Sequence, residues 1–126
     1  MDRCEVAVEL KHTGLNCAQA VLCAFAEELG MEVEQLKKLG ASFGVGMGCM
    51  EATCGALIAA EMILGLEKYE GKPILRDASA MFRRFNDMCK GTICKDLKGR
   101  DTGKVLCECD DCVRCAVKII EELDLW

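Results

Sequence analysis

Eleven of the 126 residues are cysteine, and four of them form the run Cys107-x-Cys109-x-x-Cys112-x-x-Cys115. Thiols this dense can approach a single soft metal ion or an iron–sulfur cluster, because deprotonated sulfur supplies the charge and softness those centres prefer. Glu108, Asp110 and Asp111 lie among them and would repel thiolates unless a cation were present. That favours ligation over the plainer reading, in which Cys112 and Cys115 pack inward one helical turn apart. The spacing differs from the bacterial ferredoxin run.

A second concentration lies at residues 44–66, GVGMGCMEATCGALIAAEMILGL. Gly44, Gly46 and Gly48 let a loop bend so that its N–H groups converge. Cys49 and Cys54 sit where this loop turns into a helix, whose positive end favours thiolate over thiol. They are five residues apart and do not form a C-x-x-C pair. Cys89 and Cys94 repeat that interval, and Cys89 reads as a buried, inert thiol.

Other chemistries find less support. The glycine pattern lacks the preceding strand and following acid that a dinucleotide site needs. His12 is the one histidine and no C-x-x-C-H occurs, which excludes c-type haem and disfavours histidine-based zinc catalysis. The methionines, Met47, Met50 and Met62 among them, read as core filler.

Sixteen basic and 21 acidic residues give a net charge of −5, with no basic run and few aromatics, which argues against nucleic acid as a partner. The first ten residues carry acids and no continuous apolar stretch, so no export signal is expected. The longest apolar run is too short to span a membrane and contains Glu61. A chain of 52% hydrophobic residues can build one core without disulfide staples. A single domain, cytoplasmic and with reduced thiols, is the expectation, and in that setting so many cysteines read as metal or redox chemistry.

The elements that must position these thiols all carry helical periodicity, and none alternates with period two. Residues 2–11 place Cys4, Ala7 and Val8 on one side. Asn16 caps a helix reaching Gly30, with Cys17 in its first turn and Cys23 a small packing residue. Residues 33–43 turn Leu36, Leu39 and Phe43 inward. Residues 56–66 form a central helix of small apolar residues. Pro73 opens a helix to about Cys89, burying Leu75, Ala78, Met81, Phe82 and Phe85. Residues 92–97 make a short turn carrying Cys94, and residues 99–103 a loop. A last helix buries Val113, Ala116, Val117, Ile120 and Leu123. The fold class is therefore all-α, a compact bundle of five to seven helices.

In the order of these segments the chain resembles the cysteine-rich redox-active proteins named for a C_GCAxxG_C_C pattern. Residues 16–21 (NCAQAV) look like the first cysteine segment. Gly46-Met47-Gly48 with Cys54-Gly55-Ala56 looks like the central loop and Cys-Gly-Ala motif. Residues 94–97 (CKDL) are similar to the third cysteine block, and the cysteine before the last apolar helix to the fourth. The resemblance implies a redox or metal role for Cys17, Cys54, Cys94 and Cys109, with Cys112 close behind as the fourth. Ala59 replaces the motif's closing glycine, and Cys49, Cys107 and Cys115 are additions that suggest further metal ligation. The family is also similar to part of a dihaem cytochrome with an iron–sulfur centre, whose haem attachment sites are missing here.

Cys17, Cys54, Cys94 and Cys109 or Cys112 stand at the starts of elements, where unpaired backbone N–H groups and the dipole favour negative charge. They are expected to converge on one pocket walled by Gly44, Gly46 and Gly48, with Cys23 and Cys89 outside it. The leading function is electron transfer or small redox chemistry on an iron–sulfur cluster. Zinc or another thiophilic metal, held by a soft-metal or chalcogen carrier, is the alternative, and a metal-free dithiol–disulfide oxidoreductase the third. The expected partner is a redox protein or a small-molecule substrate, with a homodimer also allowed.

Overall fold

The computed structural model describes residues 1–126. Its elements are α1 (Arg3–His12), α2 (Cys17–Ala24), α3 (Ala26–Leu29), α4 (Val33–Gly40), a π-helical turn (Gly46–Met50), α5 (Gly55–Lys68), α6 (Leu75–Cys89), α7 (Cys94–Lys98) and α8 (Cys109–Glu122). The fold is all-α, as the periodicity predicts. It has nine helical segments rather than five to seven, for two local reasons. Phe25 leaves helical geometry (φ −111°, ψ 16°) and splits the expected 17–30 helix into α2 and α3. The glycine loop also coils into a π turn rather than staying open.

The helix α5 lies at the centre and packs against α2, α8 and α6. Its Ala56, Ala59 and Ala60 are fully buried. Side chains this small let neighbouring helices approach closely, and Ala59 is accommodated there without exposure. Val21, Leu22, Phe25, Phe85, Val117 and Ile120 close around them in one cluster of 28 buried residues. Burying a side chain such as Phe85 contributes roughly 2 kcal/mol.

The inward faces are narrower than periodicity predicts. Leu75 is 77% exposed, and Leu39, Phe82 and Leu123 are exposed as well. The helix α6 rests on α5 and α8 chiefly through Met81, Phe85 and Cys89, a stripe four residues apart, with Met88 partly buried beside them. Its Leu75 and Phe82 stay exposed.

Local chemistry fixes where the thiols stand. The Asn16 side chain accepts from the Gln19 amide (2.8 Å) and Gln19 accepts in return from the Asn16 amide (3.0 Å), a capping box that starts α2 at Cys17. Asn16 Nδ2 also donates to the Gly40 carbonyl (3.1 Å), anchoring this start to the end of α4. The Cys54 amide donates to the Thr92 carbonyl (2.7 Å) and the Cys94 amide to the Ala52 carbonyl (3.0 Å). These two bonds flank an isolated antiparallel bridge between Thr53 and Ile93, which fastens the start of α5 to the start of α7. Glu51 pairs with Lys95 and Arg100 (3.0 Å each), closing the same junction on the outside. Asp110 receives Lys11 and His12 (3.1 and 2.9 Å) and ties the start of α8 to the end of α1. No helix is long and apolar enough to cross a membrane.

Candidate thiol centre

All eleven cysteines are free thiols. Four of them, Cys17, Cys54, Cys94 and Cys109, line one cavity of about 260 Å³ together with Leu15, Asn16, Val45, Lys11 and Lys98. Each belongs to a different element, and each stands at its first residue or its cap. Of the two candidates from the last helix, Cys109 is the one in this cavity.

The loop walls the cavity through Val45 rather than through its glycines. Gly46 has another duty: a Cβ there would lie 2.6 Å from the Cys94 Cβ. Gly48 is exposed and faces open space. At Gly55 a Cβ would meet the Phe43 carbonyl oxygen at 2.5 Å and the Cys17 Sγ at 2.8 Å. The Cys-Gly-Ala sequence is therefore what lets the backbone of α5 pass directly behind the Cys17 sulfur.

The thiols form a connected string. Cys17 interacts with Cys109 on one side and Cys54 on the other, and Cys54 in turn with Cys112. Cys112 interacts with Cys89, and Cys89 with Cys115 and Cys107. The sulfurs of Cys89, Cys107 and Cys112 lie within 4.8 Å of one another. The dense C-terminal run is thus parted: Cys109 faces Cys17 and Lys98, while Cys107, Cys112 and Cys115 gather at the end of α6. Cys89, expected to be an inert thiol, stands in the middle of that second group. It lies outside the cavity, as expected, but not alone; its neighbours are illegible in sequence because it closes a helix instead of opening one, and its only signal is the interval it shares with Cys49 and Cys54.

Cys23 and Cys4 stand apart. Cys23 directs its thiol to the Val33 carbonyl (3.9 Å) and Cys4 to the Arg114 carbonyl (3.6 Å). Cys49 is exposed on the π turn, with its thiol 3.6 Å from the Gly46 carbonyl.

Protonation follows from crowding. Contact with Cys112 and burial push the Cys54 thiol up to about 12, although Cys17 pulls the other way. Cys17 is lowered by Cys109, but Cys54 and burial outweigh that and leave it raised. Contact with Cys17, then burial, raises Cys109 against the opposing pull of Lys98. Burial raises Cys94. Helix starts thus favour thiolates, but in the unliganded protein burial and mutual contact win. The devices that would stabilise thiolates are in place nonetheless. The Val45 amide interacts with the Cys17 sulfur and the Ala56 amide with the Cys54 sulfur, and both favour the ionised form.

The order of cysteine segments, glycine loop and Cys-Gly-Ala turn is matched by the family model described as "Putative redox-active protein (C_GCAxxG_C_C)", over residues 15–123. The chain belongs to this family. No curated protein and no solved structure matches it. Among its cysteines, Cys89, Cys107 and Cys112 are clustered closely enough to hold a metal ion.

A separate feature went unread in the sequence. Glu61 lines an apolar cavity of about 430 Å³ with Met47, Leu57, Met62 and Phe82. Its Oε1 is buried without a hydrogen-bond partner, and burial pushes the carboxyl up to about 7.

Proposed function

We propose that Cys17, Cys54, Cys94 and Cys109 hold an iron–sulfur cluster and that the protein passes single electrons between a donor and a redox partner or small-molecule substrate. The observation that carries this reading is the convergence of the four motif thiols, from four separate elements, on one cavity. The donor set fits: all four are soft sulfur ligands, and neither histidine nor carboxylate lines the cavity. Bound there, a cluster would supply one-electron redox chemistry. The residues do the rest. Each ligating thiol gives its proton to solvent, and the Val45 and Ala56 amides with the Lys98 ammonium stabilise the resulting charge. Burial of Cys17, Cys54 and Cys94 keeps water from the sulfurs, and such hydrogen bonds and burial are the usual levers on a cluster's potential.

A second reading, a metal-free dithiol–disulfide exchange, is favoured by the shared cavity of Cys17, Cys54 and Cys109 and by the interaction of Cys17 with each of the other two. There two thiols would lose two electrons and two protons to an acceptor disulfide or quinone and join as a disulfide. Anaerobic purification followed by metal and acid-labile sulfide analysis separates the readings. Iron with sulfide, lost in Cys17→Ala and Cys54→Ala, is the expected result. Zinc or copper alone would point to a soft-metal carrier, and a metal-free protein with a titratable disulfide to the exchange reaction.

A further inference from the structure

The second thiol group has a different character from the cavity. Cys89 closes α6, Cys107 hangs on the loop before α8, and Cys112 lies one turn into α8. The loop is held in place where the amides of Leu106 and Cys107 donate to the Leu97 carbonyl (3.0 and 3.3 Å). From these three segments the sulfurs come within 4.8 Å of one another, and Cys115, one turn further along α8, interacts with Cys89. We propose that Cys89, Cys107 and Cys112, with Cys115 as the fourth ligand, form a second metal centre, beside the cavity but distinct from it, that takes a soft, closed-shell divalent cation of the zinc type.

Three observations support it. Tetrahedral ligation with metal–sulfur bonds of ~2.3 Å places ligand sulfurs about 3.8 Å apart, so a shift of roughly 1 Å from the observed limit brings Cys89, Cys107 and Cys112 to ligand spacing, and Cys115 turns in from the next turn of α8 to complete the set. Four thiols fill all four tetrahedral positions, the mark of a structural centre rather than one that keeps a position open for substrate, and two of them, Cys89 and Cys112, are buried. The four donors are all sulfur, which selects soft ions over magnesium, calcium or manganese. Packing alone is a poor account of the group. Cys4 and Cys23 are buried singly against carbonyls, whereas these thiols are gathered from three segments and one of them stands on a half-exposed loop. Binding displaces one proton to solvent from each ligating thiol.

The test uses the full chain carrying Cys17→Ala and Cys109→Ala, reduced and metal-free, titrated with cobalt(II). One ion per chain is expected, with thiolate-to-cobalt charge-transfer absorption that zinc abolishes. Adding Cys107→Ser should weaken cobalt binding more than ~100-fold, beyond the loss that an outer-sphere change produces. Adding Cys23→Ser instead should leave it unchanged. Circular dichroism confirms that each variant remains helical. Should the cavity variant not fold, Cys107→Ser in the otherwise intact chain must lower cobalt uptake by one ion. A helical cavity variant without the charge-transfer band overturns the proposal, as does cobalt binding indifferent to Cys107→Ser. Failure of the cluster reading for the cavity would leave all these outcomes as stated.

Discussion

Cys54 and Cys115 show how far neighbours of one kind can push a thiol in opposite directions. Cys54 is buried between two other sulfurs and is held protonated up to about 12. Cys115, half-buried at the rim, is lowered because Cys89 stabilises its ionised form, and that outweighs its own burial. Thiolate fraction and access together set reactivity. In the reduced, metal-free chain, limited alkylation near neutral pH should therefore label Cys115 and exposed Cys49 first, and Cys17, Cys54 and Cys112 last. Peptide mapping by mass spectrometry reads the order, and early labelling of Cys54 would refute it. Glu61 makes a second residue-scale case. Its folded-state carboxyl sits near 7 against an ordinary 4.5, so the folded chain holds a proton that the unfolded chain releases. Its contribution is fully present below about 4.5 and is lost as pH rises through 7. Glu61→Gln should remove that slope, leaving the variant more stable than the parent at alkaline pH by on the order of 1 kcal/mol after discounting for solvent screening. Urea unfolding at about pH 5 and pH 8 checks it, and parallel pH profiles for the two proteins would exclude the effect. Which thiols matter was partly legible from the sequence. Cys17, Cys94 and Cys109 follow turn or capping signals that place them at helix starts. Cys89 carries no such signal, because only the tertiary approach of α6 to α8 gives it sulfur neighbours.

At the scale of elements, the loop that precedes α5 is held in a conformation that most side chains avoid. Val45 and Met47 adopt left-handed geometry (φ 53° and 59°) alongside Gly46 and Gly48. Non-glycine residues there cost roughly 1–3 kcal/mol each and persist when the surroundings enforce them. Here the enforcement is visible in Arg100, which reaches the Cys49 carbonyl (3.4 Å) and Glu51 (3.0 Å), and in the Cys94 amide bond to Ala52. The result is an amide at Val45 placed against the Cys17 sulfur. The glycines of this stretch were readable as a bend. The π turn was not, since left-handed valine and methionine run against their local preference and are fixed only by contacts from α7 and the loop after it. Gly55 gives the sharpest test of this assembly. Gly55→Ala drives a methyl into the Phe43 carbonyl and the Cys17 sulfur, and overpacking of that kind costs about 1–3 kcal/mol. Thermal unfolding should show the loss, together with reduced metal content. Gly65→Ala on the same helix, where a Cβ meets nothing within 4 Å, should show neither. Equal behaviour of the two variants would contradict the close approach.

For the whole molecule, the arrangement explains why a chain with ample apolar residues carries so many cysteines. The core is built by α1, α2, α5, α6 and α8 around small side chains, and the clustered thiols lie at or near the ends of helices, with Cys17, Cys54, Cys94 and Cys109 at the starts of α2, α5, α7 and α8 and Cys89 at the end of α6. Helical periodicity made the fold class legible. It overstated the buried faces of α4 and α6, because a stripe of apolar residues says nothing of how many neighbours will cover it, and Leu39 and Leu75 remain exposed. The C-terminal cysteine run looked like one ligand set in sequence. In space it serves two directions, since Cys109 opens α8 toward the cavity while Cys107 and Cys112 face α6. The central claim, that the motif thiols hold an iron centre in the cavity, is tested most directly by X-ray absorption at the iron edge of the anaerobically purified protein. The account predicts a first shell of sulfur only, at about 2.3 Å, retained in Cys23→Ala and lost in Cys54→Ala. A first shell of oxygen or nitrogen, or iron that survives Cys54→Ala unchanged, would contradict it.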